Sequence, residues 1–327
     1  MVTVRTILAL AVSKSWHIHQ MDVYNAFLNG DLEDEIYMSL PQGFSNQGEN
    51  MNKVCRLEKS LYGLKQAPRQ WNHKFAESLQ KLHFKQSQYD HYLFTRRTTE
   101  GTTIILVYVD DILITGSSLK LVEETKKSLQ QSFKMKDLGE LKYFLGIEFV
   151  RSNSGVVMHQ RKYALQLISE VGLSGAKTTG TPMDVNVKLT SKQYDDQTGQ
   201  NQNEPLADQS AYQKLIGKLL YLNMTRPDIS FSVQTLSQFL HQPKKSHMDA
   251  ALRVVKYIKR QPGQGILLSS KCSNEIIAYC DADWAACPLT RKSVTGYVIK
   301  LGESVVSWKA KKQTLCQEAQ LKLSIGV

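Results

Sequence analysis

Two adjacent acids interrupt the most apolar stretch of the chain. Ile104-Ile105-Leu106-Val107-Tyr108-Val109 and Ile112-Leu113-Ile114 flank Asp110-Asp111. Two β-rich runs parted by two residues read as a tight hairpin. A bare Asp pair in a turn ordinarily reflects the fit of Asp to turn geometry. The length of the flanking runs favours another role, because two acids forced together at the edge of a core make a hard anionic site suited to Mg²⁺ (or Mn²⁺). Asp22, in His19-Gln20-Met21-Asp22-Val23-Tyr24-Asn25-Ala26-Phe27, lies where a strand hands over to a helix. Alone it reads as an N-cap or a solvated acid. With the pair it completes a set able to hold two metal ions for in-line phosphoryl transfer. Carboxylates about 4 Å apart repel by roughly 4 kcal/mol per pair at an effective dielectric of about 20, so a cation must offset such a cluster.

The elements that position these acids follow from hydrophobic period. Val4, Ile7, Leu8 and Ala11 mark an opening helix, His17–Val23 an extended segment and Asn25–Leu32 a helical one, and Pro41–Asn52 is a polar loop. Trp71, Phe75, Leu79 and Leu82 share one helical face, and Leu121–Phe133 is again helical. Tyr143–Val150 and Val156–His159 read as strands. Residues 193–210, rich in Gln, Asn and Asp, read as a linker or surface loop. Helices follow near Tyr212–Leu222, Ile229–His241 and His247–Lys259, then strands at Ile276–Cys280, Val294–Leu301 and Val305–Lys309. On the first of these strands, Cys280 reads as a small core residue.

With 327 residues the chain suits two or three domains, and 42% hydrophobic with 22% charged residues excludes general disorder and collagen-like or coiled-coil designs. The longest uncharged apolar runs, Ile7–Val12 and Ile104–Val109, fall short of the ~18–20 residues that span a bilayer, and no signal-peptide pattern is present. The expectation is therefore no membrane partner and an intracellular location, cytoplasmic or nuclear. Five scattered cysteines argue against a disulfide framework, and none makes the short Cys pairing of a zinc site. Forty-one Lys and Arg against thirty Asp and Glu give +11, which favours a polyanionic partner. Between Lys244 and Arg260 six basic residues meet one acid, Asp249. Arg253, Lys256 and Arg260 lie on a different face from Leu252, Val255 and Ile258. That basic face is either simply solvated or tracks nucleic-acid phosphates.

Several motifs together resemble the reverse transcriptase of Ty1/copia-type LTR retrotransposons. They are Gln20-Met21-Asp22-Val23-Tyr24-Asn25-Ala26-Phe27-Leu28-Asn29-Gly30, Ser60-Leu61-Tyr62-Gly63-Leu64-Lys65-Gln66-Ala67-Pro68, Tyr108-Val109-Asp110-Asp111, Tyr143-Phe144-Leu145-Gly146-Ile147-Glu148, Thr225-Arg226-Pro227-Asp228 and Cys280-Asp281-Ala282-Asp283-Trp284. Their order and spacing carry the resemblance from about Val2 to Gln313.

The resemblance implies an α+β fold: a palm and fingers-like antiparallel sheet with helices, a helical thumb or connection, and a partial RNase H-like unit. It divides the chain into a palm with incomplete fingers at 1–150, a thumb-like segment at 151–192, the linker at 193–210, a helical thumb or connection at 211–270 and a truncated RNase H-like segment at 271–327. It implies an RNA-directed DNA polymerase in which Asp22, Asp110 and Asp111 bind Mg²⁺ (or Mn²⁺). The implied partners are an RNA template, a DNA primer, RNA–DNA hybrid, deoxynucleoside triphosphates and other segments of a polyprotein. Tyr108 joins the substrate site. Phe27 is either the aromatic under the nucleotide sugar or a core Phe. Gly63 and Lys65 pass beneath the templating base pair, with a simple turn as the alternative for Gly63. Phe144, Leu145 and Gly146 grip the primer end, and Arg253, Lys256 and Arg260 follow template–primer. Asp281 matches the first metal ligand of an RNase H.

Departures from the family pattern accompany these matches. Only 21 residues precede Asp22, so much of the fingers is expected to be missing. After Thr314 the family's Ser-Ser-Ala-Glu-Ala-Glu-Tyr helix is absent, yet one permitted back-translation of the tail encodes it in a neighbouring frame. Glu318 would then be no substitute ligand and RNase H activity would be lost. The alternative to a polymerase is an inactive retroelement relic, at most a basic nucleic-acid-binding protein.

Overall fold

Thr103–Val107 and Ile112–Gly116 are buried residue after residue rather than alternately. Strands of that kind sit in the middle of a sheet, covered on both faces. The structure, a computed structural model, describes residues 1–44, 53–184, 187, 189–199, 206, 208–284, 287 and 290–314. The tail expected to be out of frame, 315–327, lies outside the described residues. The chain folds as two units, Ser15–Phe144 and Met1–Lys14 with Leu145–Val327. Helix α1 (Val2–Ser13) thus belongs with the later residues. Among the described residues, no helix is long and apolar enough to cross a membrane.

The unit at 15–144 contains, in chain order, β1 (His17–Val23), a 3₁₀ turn at Ala26–Asn29, β2 (Asp31–Ser39), β3 (Val54–Lys59), α2 (Ala67–Lys81), β4 (Lys85–Gln86), β5 (Leu93–Thr98), β6 (Gly101–Tyr108), β7 (Asp111–Gly116), α3 (Leu119–Ser132), β8 (Met135–Glu140) and β9 (Tyr143–Phe144). Six of these strands form one antiparallel sheet in the order β4-β5-β6-β7-β1-β8. Helix α2 starts with Pro68 in its first turn, where the missing N–H costs nothing. Its buried stripe of Trp71, Phe75 and Leu79 meets Val122 and Leu129 of α3 and the side chains of Met21, Val23, Ile105, Val107, Ile112 and Ile114. Side chains of this size contribute about 1.5–3 kcal/mol each when fully buried. The helical segment expected at Asn25–Leu32 is only the 3₁₀ turn, and β2 begins at Asp31. Gly30 is extended and packs so closely on α2 that an added Cβ would lie 3.1 Å from the Gln70 Cβ and the Trp71 N. Its carbonyl accepts the Ser60 N–H, so the chain leaves the helical path there.

The other unit adds β10 (Ile147–Ser152), β11 (Gly155–His159), α4 (Arg161–Glu170), α5 (Lys192–Thr198), α6 (Gln209–Leu222), α7 (Ser230–Ser237), α8 (Lys245–Arg260), β12 (Ile266–Ser269), β13 (Ile276–Ala282), β14 (Val294–Leu301) and β15 (Ser304–Lys312). Leu167, Ile168, Tyr212, Ile216, Leu219, Val233, Val254, Val255 and Ile258 form one core between α4, α6, α7 and α8. β10 to β12 pair antiparallel in the order β12-β11-β10, and β13 to β15 form a meander. Helix α1 packs on β12 and β15, with the buried Arg5 donating to the Met224 carbonyl at 3.0 Å and lying 3.8 Å over the Trp308 ring.

Two expectations need correction here. Lys192–Thr198 is a helix rather than part of a loop: Ser191 caps it by accepting the Tyr194 N–H, Gly199 at φ +70° ends it, and Asp195 is buried against Lys244 at 2.5 Å. A helix whose buried anchor is an acid shows no apolar period. Cys280 is exposed, not a core residue, because β13 is exposed along most of its length.

Candidate active site

Alternation along β1 sends Met21 and Val23 into the helix-packed core and Gln20 and Asp22 to the other face of the sheet. On β7, Ile112 and Ile114 enter the same core, which leaves Asp111 and Leu113 on the face of Asp22. The register pairs Asp22 with Asp111 and Gln20 with Leu113. Directly opposed residues have Cβ atoms about 4.5–5.5 Å apart, so the two carboxylates are neighbours by construction.

Asp110 occupies the two-residue loop between Tyr108 and Asp111, which are paired. The residue before it, Val109, has φ +57°. A β-branched side chain in that region costs roughly 1–2 kcal/mol, so other contacts must hold the loop. Two do. The Trp71 Nε1–H donates to the Val109 carbonyl at 2.6 Å, and the Val23 N–H donates to the Asp110 carbonyl at 2.9 Å. The turn is therefore tied both to the core of α2 and to the end of β1.

Burial raises the Asp111 carboxyl above its ordinary value; the Gln20 Nε2–H, donating to Asp111 Oδ1 at 3.2 Å, works against that shift, and repulsion from Asp110 and Asp22 adds to it. Asp22 is likewise raised, first by burial and then by Asp110, while Lys136 opposes the shift. Lys136 lies across from Asp22 on β8 and is exposed. Among the described residues, no three His, Cys, Asp or Glu side chains converge closely enough to hold one ion. The facing pair, Asp22 and Asp111, offers only hard oxygen donors, and its negative charge is relieved only in part. That donor chemistry fits a divalent cation such as Mg²⁺ (or Mn²⁺).

The remaining expected residues are distributed as follows. Tyr108 is exposed at the mouth of the hairpin. Phe27, on the 3₁₀ turn, packs partly on the core and meets the Tyr62 ring at 4.6 Å. Gly63 has φ +98° in the turn closed by Leu64 N–H to the Leu61 carbonyl, and nothing lies within 4 Å of where its Cβ would stand. Lys65 is exposed just before α2. Phe144 is buried; Leu145 and Gly146 have φ +52° and +75°. The Tyr221 hydroxyl donates to the Leu145 carbonyl at 3.0 Å and leaves no room for a Cβ on Gly146. On α8, Arg253 donates to Thr181 Oγ1 at 3.1 Å and pairs with Asp184 at 3.6 Å; Lys256 is half-buried and Arg260 exposed. Asp281 is exposed on β13 and accepts the Ala282 N–H. Asp22 and Asp111 thus face each other across β1 and β7, with Asp110 and Tyr108 at the adjoining hairpin end in the same unit, whereas Arg253, Lys256, Arg260 and Asp281 belong to the other unit.

Sequence reasoning missed Gln20, Trp71 as a turn-holding donor, and Lys136. The first had a signal: two residues before Asp22 on a strand means the same face.

The family described as reverse transcriptase (RNA-dependent DNA polymerase) matches residues 1–185. The chain belongs to that reverse transcriptase family. Its relatives include the retrovirus-related Pol polyprotein from transposon RE1 of Arabidopsis thaliana, 42% identical over 95% of this chain, and that from transposon TNT 1-94 of Nicotiana tabacum, 37% identical over 96%. The chain spans 20% and 24% of those polyproteins. The putative transposon Ty5-1 protein YCL074W of Saccharomyces cerevisiae is 35% identical, with 89% of this chain and 92% of that protein covered. These are Ty1/copia-type relatives, and the mixed helix and antiparallel-sheet architecture is consistent with a reverse-transcriptase domain.

Proposed function

We propose that this chain is the RNA-directed DNA polymerase portion of a Ty1/copia-type Pol polyprotein, joining a deoxynucleotide to a primer 3′-hydroxyl with pyrophosphate as leaving group. The observation that carries this reading is the register of Asp22 against Asp111 beside a loop that presents Asp110. Asp22 and Asp111 would hold Mg²⁺ (or Mn²⁺), with Asp110 adding charge from the loop. When bound, the metal would lower the pKa of the primer hydroxyl and neutralise the phosphates. The protein's own part is positional: α2 and β1 hold the loop, and the aromatic faces of Tyr108 and of the Phe27–Tyr62 pair offer surfaces for sugar and base.

In this reading the palm lies within 1–150. Residues 211–270 serve as thumb or connection, and the meander at 271–327 is an RNase H-like unit in which Asp281 is a remnant ligand. RNA template, DNA primer and deoxynucleoside triphosphates are the substrates. Primer extension on an RNA template with Mg²⁺ tests the proposal, and Asp110→Asn should abolish product. The alternative, a basic nucleic-acid binder without activity, is favoured by the net charge of +11. It predicts template–primer binding with a log–log salt slope of about −0.7 to −0.9 per phosphate neutralised, and no extension by the parent chain.

A further inference from the structure

Gln20 is a polar side chain in an apolar setting. It stands between Ile18 and Asp22 on one face of β1, opposite Leu113, and is only 7% exposed. A buried amide is costly unless it is hydrogen-bonded. Its Nε2–H donates to Asp111 Oδ1 at 3.2 Å, diagonally across the strand pair. A diagonal neighbour is about 7–8 Å away, a span that Gln bridges and Asn, one methylene shorter, does not.

From this geometry we infer that Gln20 is a positioning residue for Asp111. By engaging Oδ1 it sets the rotation of the carboxylate and leaves Oδ2 free for a cation shared with Asp22. Asp110 and Asp22 both repel Asp111. Without a donor on its inner oxygen, the carboxylate would turn away from Asp22. A Glu at the position would add another negative charge, and an apolar residue would leave the orientation unset. Groups that orient a metal ligand in this way typically change metal affinity by about 10–100-fold when removed. This inference rests on the polymerase reading of the acids and adds to it a residue outside the three-acid set.

The test uses the full chain and Mn²⁺ alone, followed by electron paramagnetic resonance, with no nucleotide or nucleic acid. Gln20→Met keeps the length of the side chain and removes the donor. The expected result is Mn²⁺ affinity weakened by about 10–100-fold at an unchanged thermal midpoint in EDTA. In primer extension, the rate lost at low Mn²⁺ should return at high Mn²⁺, which a folding defect would not allow. Gln20→Asn, which keeps an amide but falls short of Asp111, should show the same weakening and serves if the Met variant does not fold. Mn²⁺ affinity equal to that of the parent chain in a folded variant overturns the inference and leaves the polymerase reading standing. A parent chain that neither binds Mn²⁺ nor extends a primer overturns both.

Discussion

Trp71→Phe isolates the tie between the core and the acidic loop. The ring is 2% exposed, and its contacts with Phe75 and Phe133 have centroids 5.2 and 5.3 Å apart. Phe preserves most of this packing but loses the indole N–H that reaches the Val109 carbonyl at 2.6 Å. Leaving that carbonyl unpaired costs about 1–3 kcal/mol, and the missing part of the indole about 1 kcal/mol more. The unit should therefore lose roughly 2–4 kcal/mol, a fall in thermal midpoint on the order of 10 °C. The bond also opposes the strain of Val109 at φ +57°. Once it is gone, the loop carrying Asp110 should relax, and extension per folded molecule should drop about tenfold for each 1.4 kcal/mol of lost positioning. Phe75→Leu is the control, since Phe75 packs in the same core without a bond to the loop. Chemical denaturation gives the stability of both variants, and primer extension well below both midpoints gives the activity. If Trp71→Phe extends primers as well per folded molecule as Phe75→Leu, the indole bond does not hold the acidic loop and the reasoning is refuted.

Three further outcomes are expected. The Asp111 carboxyl is raised by burial and by its acidic neighbours, so the folded chain holds its proton to higher pH than the unfolded chain does, and stability falls as pH rises through that window. Asp111→Asn should therefore raise the thermal midpoint in EDTA at pH 7 and leave it nearly unchanged at about pH 3, below the unfolded carboxyl's range; equal midpoints at pH 7 would contradict the electrostatic account. Gly146→Ala should cost about 2–5 kcal/mol in urea denaturation, because φ is +75° and the new Cβ meets the Tyr221 hydroxyl, and adding Tyr221→Phe should restore part of that loss. Lys136→Glu places a like charge across from Asp22, so it should lower extension at least about tenfold and raise the Mn²⁺ required, whereas an unchanged Mn²⁺ dependence would show that Lys136 does not bear on the acids.

The strands His17–Val23 and Val294–Leu301 are readable from the sequence with the bounds they take in the structure, the first only as an extended segment between two helical patterns and the second because it is rich in β-branched and apolar residues. The hairpin around Asp110-Asp111 is readable for the same reason, and with it the most distinctive part of the site. β2 and β8 are not. Their burial follows no clean alternation, and at Asp31–Ser39 and Met135–Glu140 most side chains are charged or exposed. Lys136 is illegible along with β8, since its importance is a matter of register and register is a tertiary property. Helix α5 is hidden by its own polarity. Its anchor is the Asp195–Lys244 pair, joined by Thr190, which donates to Asp195 at 2.6 Å. The basic run on α8 is visible in the sequence, but composition cannot show that Arg253 is engaged with Thr181 and Asp184, or that Lys259 donates to the Ser174 and Ala176 carbonyls.

The membership of α1 in the later unit bears on how the polypeptide is made. Arg5 stacks on Trp308, about 300 residues further along. At a synthesis rate of about 5–20 residues per second, the helix waits roughly 15–60 s on the ribosome before that tryptophan emerges. Over the same interval residues 15–144, which form one compact unit, are already complete. The helix, with Ile7, Leu8 and Val12 all buried in the folded chain, therefore spends that interval without the late strands β12 and β15 that it packs on.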